Sequence, residues 1–524
     1  MREPDPRTLD AWRRHLGREP DPNALLAELT AGSLPEAFHA TAMAGPDQPA
    51  LDVDGVKRTH GELDEAAGRY AAYLRELGVR RGDVVLFSAP SSMAMIEAYL
   101  GILRAGATVL LANPAYTKSE LRHLVGHSGA SAAVVADPVF ATAAELAEEL
   151  PGLELVIDAV VPEPPGLEPL PVERTGSDEV AFLAYTSGTT GRPKAVPLTH
   201  ANALSSMRAV MLAWRWSADD VMVHSLPLFH QHGLGGVTAT LLSGARGVIG
   251  AKFDPDAICE TIERERGTVL LAVPAMYERF VASEAFRAKR LASLRLLVSG
   301  SAPLSPAMAA RVEELVGQIP LERYGTTESG LDVSNLYDGP RKPGSVGLPF
   351  PGIEMAVVDG EAQPVADGDE GEIVVRGPQV FAGYRDNEEA TAESFYQGGW
   401  FRTGDIGRID PADGFLSITG RAKELIITGG LNVYPREIEL ALEESPEVVR
   451  AAVVGVPSAR WGEEVVAAVV RAPGTDLSED ALIAFAGERL APYKRPKRVV
   501  FLEEFPVNHM GKVIRSELTK LVSE

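Results

Sequence analysis

Short apolar runs alternate with amphipathic helical patterns from about Leu34 to Gly420, and no other feature restricts the fold of this chain as much. "DVVLFSAP" (residues 83–90) leads into "SSMAMIEAYLGILRAG" (91–106), which leads into "ATVLLANP" (107–114). A short apolar run bounded by turn formers is strand-like, whereas apolar residues recurring at helical spacing make one buried helix face. Strand and helix in alternation predict α/β layers with largely parallel sheets. Near Gly377 the pattern shifts to short strands and turns: "GEIVVRGPQVFAGY", "GWFRTGDIGRID" and "GFLSITG". After Lys423 a new unit begins, with "ELIITGG", "VVRAAVVGVP", "EEVVAAVVRA" and "RVVFLEEFP" as strands and "PREIELALEES" and "SEDALIAFAGERL" as helices. That is enough chain for a small α+β domain. The expected organisation is a large N-terminal domain of layered sheets and helices with a β-rich section (residues 1–420), a hinge at 421–423 and a small mobile α+β lid at 424–524. Residues 1–31 are charged and punctuated by proline, with a short helix at Leu9 to Leu16, and read as an appendage with no assigned role.

"AYTSGTTGRPKAVPLTH" spans Ala184 to His200 and continues an apolar, strand-like run from Val180 to Tyr185. Thr186, Ser187, Gly188, Thr189, Thr190, Gly191 and Lys194 together suit an anion. Glycines let the backbone come close and aim several N–H groups at one point. The hydroxyls donate hydrogen bonds, and Lys194 adds a point charge. The spacing is not that of a Walker A loop, where Lys directly follows Gly and precedes Ser or Thr. Here Arg192 and Pro193 intervene, and Ala195 follows the lysine. The plain structural alternative is a solvated Ser/Thr/Gly loop.

The formal net charge of -23 argues against nucleic acid as a partner. It also requires any anion site to gather its cations locally. Cys259 is the sole cysteine, so no disulfide forms within the chain. The N-terminal residues lack an apolar signal core, and no apolar stretch reaches membrane-spanning length. The expectation is a cytoplasmic protein with no membrane or obligatory protein partner.

Further stretches follow in order: "ERYGTTES" (Glu322 to Ser329), "FRTGD" (Phe401 to Asp405), "GRAKELIITGGLNVYPREIE" (Gly420 to Glu439) and "NHMGKVIR" (Asn508 to Arg515). With the Thr186–Lys194 loop they resemble, in content and order, the motifs of the adenylate-forming superfamily. That superfamily includes acyl-CoA synthetases, nonribosomal-peptide adenylation domains and beetle luciferases. The likeness runs from about Leu34 to Leu518. It implies ATP, Mg²⁺ and coenzyme A as co-substrates and cofactor. A carboxylate, itself a poor electrophile, becomes an acyl-adenylate with release of pyrophosphate, and a thiol then displaces AMP.

The resemblance also implies roles. Thr186 to Lys194 clasp the β- and γ-phosphates. Tyr324, followed by Gly325, stacks on adenine, which Ser301, Ala302 and Pro303 also line. Thr327 donates to the α-phosphate, and Glu328 ligates Mg²⁺. Asp405 accepts from the ribose hydroxyls, and Arg421 reaches the nucleotide from the hinge. Lys512, delivered by a closing lid, stabilises negative charge as it builds. Lys423 marks the hinge, and Gly429 and Gly430 let the pantetheine arm of CoA pass close to the backbone. Singly, these residues have ordinary explanations: Tyr324 as core, Glu328 or Asp405 as a cap or turn residue, Lys512 as a surface lysine. The ordered set points to function.

"PLFHQHGL", "YERF", "SGSAPL", "ERYG" and "SNLYDG" are similar to stretches of malonyl-CoA synthetases. In that group the arginines matching Arg279 and Arg323 bind the carboxylate that does not react. A half-buried guanidinium needs an anion, and a second carboxylate offers bidentate pairing. The alternative is pairing with Glu322 or Asp332. Ser301, His230 and His232 flank the same region, with His230 at a gating position; either histidine alternatively belongs to the core. Gly235-Gly236, Thr326 and Leu331-Asp332-Val333 depart from the family pattern. The glycines enlarge the pocket, and Asp332 would repel a dianion or welcome an amine. The expected function is an ATP-dependent acid:CoA ligase acting on a short dicarboxylate, malonate or a substituted malonate. The alternatives are a larger or amino-bearing acid, or transfer of the adenylate to an amine, another small nucleophile or a carrier-protein thiol. The joint presence of Lys194, Glu328, Asp405 and Lys512 opposes a non-catalytic nucleotide-binding role.

Overall fold

The computed structural model describes residues 4–159, 166–186, 193–286, 288–428, 431–458, 460–507 and 512–523. They contain four β-sheets. The first quoted stretches form the strand Val84–Ser88, the helix Met93–Arg104 and the strand Thr108–Leu111. Ser92 caps the helix by accepting the Met95 N–H at 3.1 Å. The two strands pair in parallel, because a helix crossing one face brings the chain back in the same direction. Of the six strands in this sheet, only Lys194–Thr199 runs antiparallel, folding back on Val180–Thr186 with Lys194 opposite Thr186. The edge hairpin therefore carries both ends of the anion-suited loop.

The nine-stranded sheet is parallel through its centre. Towards one edge Leu321–Tyr324, parallel to its inner neighbour, pairs antiparallel with Val333–Ser334, which in turn pairs antiparallel with Leu348–Pro349. Arg323 stands opposite Ser334, and Tyr324 opposite Val333. The helix His200–Ala213 packs on the Val180–Thr186 hairpin and on the helix Gln231–Ser243, which covers Val221–His224 and Arg246–Ile249. This helix pair joins the two large sheets, and Phe182, Leu204, Val237 and Leu271 share one core there. A five-stranded antiparallel sheet follows, with Asp405 of Trp400–Ile409 opposite Arg421 of Leu416–Arg421.

The last sheet combines four antiparallel-paired strands with the parallel strand Arg498–Phe501. Successive side chains of Val448–Ser458 point to opposite faces. Ala451 and Val453 enter one core with Ile438 and Leu442, while Ala452 and Val454 enter another with Leu518 and Val522. The fold is thus α/β, with a large N-terminal body and a smaller C-terminal α+β unit.

The segment before Ala31 contains two helices, Pro6–Leu16 and Pro22–Thr30. Asp5 and Asp21 cap them, and proline occupies the first turn of each. Proline that reads as punctuation is compatible with a helix at this position, where its missing N–H has no partner to lose. Neither helix is loose: Trp12, Leu25 and Leu29 are buried. Among the described residues no helix is long and apolar enough to cross a membrane.

Candidate active site

A cavity of about 270 Å³ lies between the large body and the C-terminal unit. Ser301, Ala302, Pro303, Tyr324, Gly325, Asp405 and Arg421 line one side, and Lys512 comes from the other. The Tyr324 hydroxyl donates to Asp405 Oδ2 at 2.7 Å, and Arg421 Nε lies 2.8 Å from Asp405 Oδ1. Strand register makes the second contact, since Asp405 and Arg421 are cross-strand neighbours. Burial, with Asp405 adjacent, holds the Tyr324 phenol well above its usual range, so it remains a neutral donor. Gly325 is required by close approach: a Cβ there would sit 1.9 Å from the Gly330 carbonyl oxygen. That turn carries Thr327 and Glu328.

The cations an acidic chain must gather converge here. The Lys194 ammonium lies 4.7 Å from the centre of the Tyr384 ring. Lys423, in the short turn Ala422–Glu424, is lowered from its ordinary value by burial and by Lys194 and Arg421. Lys512 is lowered by burial and by Arg421. Cations held near one another favour an anion between them. Glu328 Oε1 accepts from Thr186 Oγ1 at 3.3 Å and from the Tyr384 hydroxyl at 2.9 Å. One hard carboxylate beside a hydroxyl fits Mg²⁺ shared with phosphate and water better than an all-protein cage. Among the described residues no cluster of three or more His, Cys, Asp or Glu could supply such a cage. Ser187, Gly188, Thr189, Thr190, Gly191, Gly429 and Gly430 lie outside the described residues.

A second cavity of about 340 Å³ meets the first at Ser301, Arg323 and Gly325. Phe182, Met207, Trp214, Trp216, Phe229 and Leu271 form much of its apolar wall, and His230, His232 and Thr327 also line it. Arg323 is the sole Lys, Arg, Asp or Glu among its described lining residues. Neither carboxylate considered as its partner takes that place. Glu322 accepts the Leu304 N–H at 3.1 Å and the Gly344 N–H at 3.4 Å. Asp332 is held by the Ser329 hydroxyl and by Gln379 Nε2 at 3.0 Å. Burial lowers the Arg323 guanidinium to about 10, with no acid opposing the shift. Gly300 makes room for it: a Cβ there would come within 2.4 Å of Arg323 Nε. His232 Nδ1 lies 3.1 Å from Ser301 Oγ, and burial beside Arg323 keeps that histidine neutral. Ser301 has φ +70, a strained value for a residue with a side chain.

Arg279 is not brought to this site. It is exposed on the helix Pro274–Ala282 and lies 4.5 Å over the Phe253 ring. The buried face of that helix belongs to Met276, Tyr277 and Phe280, and the residue preceding Phe280 turns away from it. Glu278 of the same helix lines the nucleotide-side cavity instead. Sequence reading also passed over Gly300, Gln379 and Tyr384, none of which belongs to a chemically distinctive spacing.

Burial raises the Asp332 carboxyl from 3.8 to about 7. A carboxyl with a raised folded value supports stability fully below its unfolded value and withdraws that support as pH rises through the folded value. Asp332→Asn is therefore expected to gain stability relative to wild type between pH 5 and pH 8. Urea midpoints at the two pH values read this directly, and a pH-independent difference would exclude it.

Residues 38–385 match the family model for AMP-binding enzymes, and residues 437–512 match that for the AMP-binding enzyme C-terminal domain. A feruloyl-CoA synthase from an Amycolatopsis species is 38% identical over 488 residues, covering 91% of this chain and 97% of the relative. An oxalate–CoA ligase from Arabidopsis thaliana is 35% identical over 495 residues, covering 90% of this chain and 95% of the relative. The structure of ATP-bound MatB from Rhodopseudomonas palustris superposes with a TM-score of 0.87 at 36% identity, covering 94% of this chain and 99% of MatB.

Proposed function

The chain belongs to the AMP-binding enzyme family and is an ATP-dependent acyl-CoA ligase, and from that premise we propose that its acid is a dicarboxylate, malonate or a substituted malonate. The observation that carries this reading is Arg323, a half-buried guanidinium that no carboxylate of the described residues pairs with, at the junction of the acid and nucleotide cavities. A carboxylate that does not react would pair with it, leaving the other directed at the α-phosphate. An uncharged acyl tail would leave the cation unpaired, at a cost of roughly 3 to 5 kcal/mol for a broken buried pair. The apolar wall at Trp214, Trp216 and Phe229 suits a substituent on the central carbon. The relatives are named for acids as different as ferulate and oxalate, so membership alone does not choose the substrate.

The proposed reaction proceeds in two steps. A carboxylate oxygen attacks the α-phosphorus, pyrophosphate leaves, and Lys512 and Thr327 stabilise the charge on the phosphoryl oxygens. Asp405 and Tyr324 hold the ribose and adenine, and Lys194 with the Thr186 loop holds the leaving phosphates. Glu328 would hold Mg²⁺, which neutralises phosphate charge when bound. The CoA thiol, having lost its proton, then attacks the acyl carbon and expels AMP.

Initial rates with malonate, methylmalonate, succinate, acetate, octanoate and 4-coumarate, in ATP and Mg²⁺ with and without CoA, test the proposal. The highest kcat/KM is expected for malonate or methylmalonate, with AMP and a thioester formed only when CoA is present. A preference for octanoate or 4-coumarate would refute the dicarboxylate reading. AMP release driven by an amine in place of CoA would move the second step to a different acceptor.

A further inference from the structure

Both N-terminal helices precede residue 38, where the match to the family model begins. Their contacts nevertheless lead to the acid cavity by two routes. The first runs through Arg208, on the helix His200–Ala213, whose guanidinium donates to the carbonyls of Glu28, Leu29 and Ala31 at 2.9, 3.2 and 2.8 Å. These carbonyls lie at the C-terminal end of the helix Pro22–Thr30, where backbone carbonyls have no N–H donors from the helix itself. Ala203, Met207 and Val210 of the same His200–Ala213 helix line the acid cavity, so its position sets that wall. The Leu34 N–H, just beyond the second N-terminal helix, lies 3.3 Å from His200 Nδ1 at the start of the wall helix.

The second route is aromatic. Trp12 is buried, and its indole N–H donates to the Ile353 carbonyl at 2.9 Å. His15 Nε2 lies 3.2 Å from the Leu348 carbonyl, and its ring stacks on Phe350 with centroids 5.5 Å apart. Phe350 meets Trp214 at 5.9 Å, and Trp214 stacks on Trp216 at 6.5 Å. Both tryptophans line the cavity. The Trp214 indole N–H also donates to Ser334 Oγ at 3.0 Å, and Ser334 is the cross-strand neighbour of Arg323. A continuous set of packed rings and hydrogen bonds therefore joins the first helix to the apolar wall of the cavity and to the strand that carries its cation.

We propose that the two N-terminal helices are a positioning element of the acid site, setting the Met207 and Trp214 walls and the Arg323 strand, and so influencing which acid fits. The residues that carry this, His15 and Arg208, act through others and do not line the cavity. Misplacing a bound reactant by a small distance is costly because attack needs a narrow geometry.

Full-length His15→Ala and Arg208→Met are compared with wild type, using whichever acid of the six-member panel wild type turns over fastest. The result therefore does not depend on the dicarboxylate reading. The KM for the acid is expected to rise about tenfold while those for ATP and CoA stay within about twofold. The kcat/KM ratio between methylmalonate and octanoate should shift. Arg208→Lys, which keeps a donor for the carbonyls, should restore most of the loss. If His15→Ala does not fold, Trp12→Phe, which removes the indole donor, replaces it. An unchanged acid KM, an ATP KM rising in step with it, or a lower melting temperature with all kinetic constants unchanged would each overturn the proposal.

Discussion

Replacing Lys512 with alanine is expected to abolish acyl-adenylate formation while leaving thioester formation from a supplied acyl-adenylate largely intact. Lys512 reaches the cavity shared by Ser301, Tyr324, Asp405 and Arg421 from the C-terminal unit. In the proposed reaction it would meet the charge that develops on the phosphoryl group, and desolvation, with Arg421 nearby, lowers its proton affinity. Loss of one preorganised donor to a developing oxyanion typically lowers the rate by about 10² to 10³. Removing a full positive charge places the expectation at or beyond the upper end. Thiol attack leaves the phosphorus untouched and so needs no cation at that position. ATP–pyrophosphate exchange reports the first half-reaction, and thioester yield from synthetic acyl-adenylate reports the second. Equal loss in both would mean that a single lid pose serves both steps.

Arg323→Ala should lower kcat/KM for the preferred dicarboxylate by more than about 100-fold, corresponding to roughly 3 kcal/mol of transition-state binding. The same change removes a cation that no carboxylate among the described residues satisfies, so stability should hold or rise. Acetate and octanoate, which offer Arg323 nothing, should lose little and gain in relative preference. This reversal separates a substrate-binding role from general damage to the site. A loss within about threefold for the preferred acid, under 1 kcal/mol, would end the dicarboxylate assignment.

The parts of the site that were legible in the sequence are those whose chemistry needs particular residue types close together. Thr186 and Lys194 frame a run of glycines and hydroxyls, and "ERYGTTES" places Tyr324, Thr327 and Glu328 within one turn. Asp405 and Lys512, which line one cavity, are expected at the site only from motif order and resemblance. Tyr384 gave no such signal, although its hydroxyl reaches Glu328 across 56 positions of sequence. Gly300 was equally silent, because its significance is the space it leaves for Arg323. The second N-terminal helix is hidden in the sequence because proline punctuates the segment, although Pro22 opens a helix.

The two arginines show where the division falls. The sequence by itself determined that the chain alternates strand and helix, carries the ordered motifs of an adenylate-forming enzyme and contains both Arg279 and Arg323. Those properties follow from local hydrophobic period and from residue type, which neighbours in sequence can express. Only the tertiary structure decided that Arg279 lies exposed over Phe253, while Arg323 is half-buried opposite Ser334 with no carboxylate partner among the described residues. Desolvation and pairing depend on strand register and on atoms brought from distant segments, so identical side chains acquire different electrostatic environments only when the sheets and helices pack.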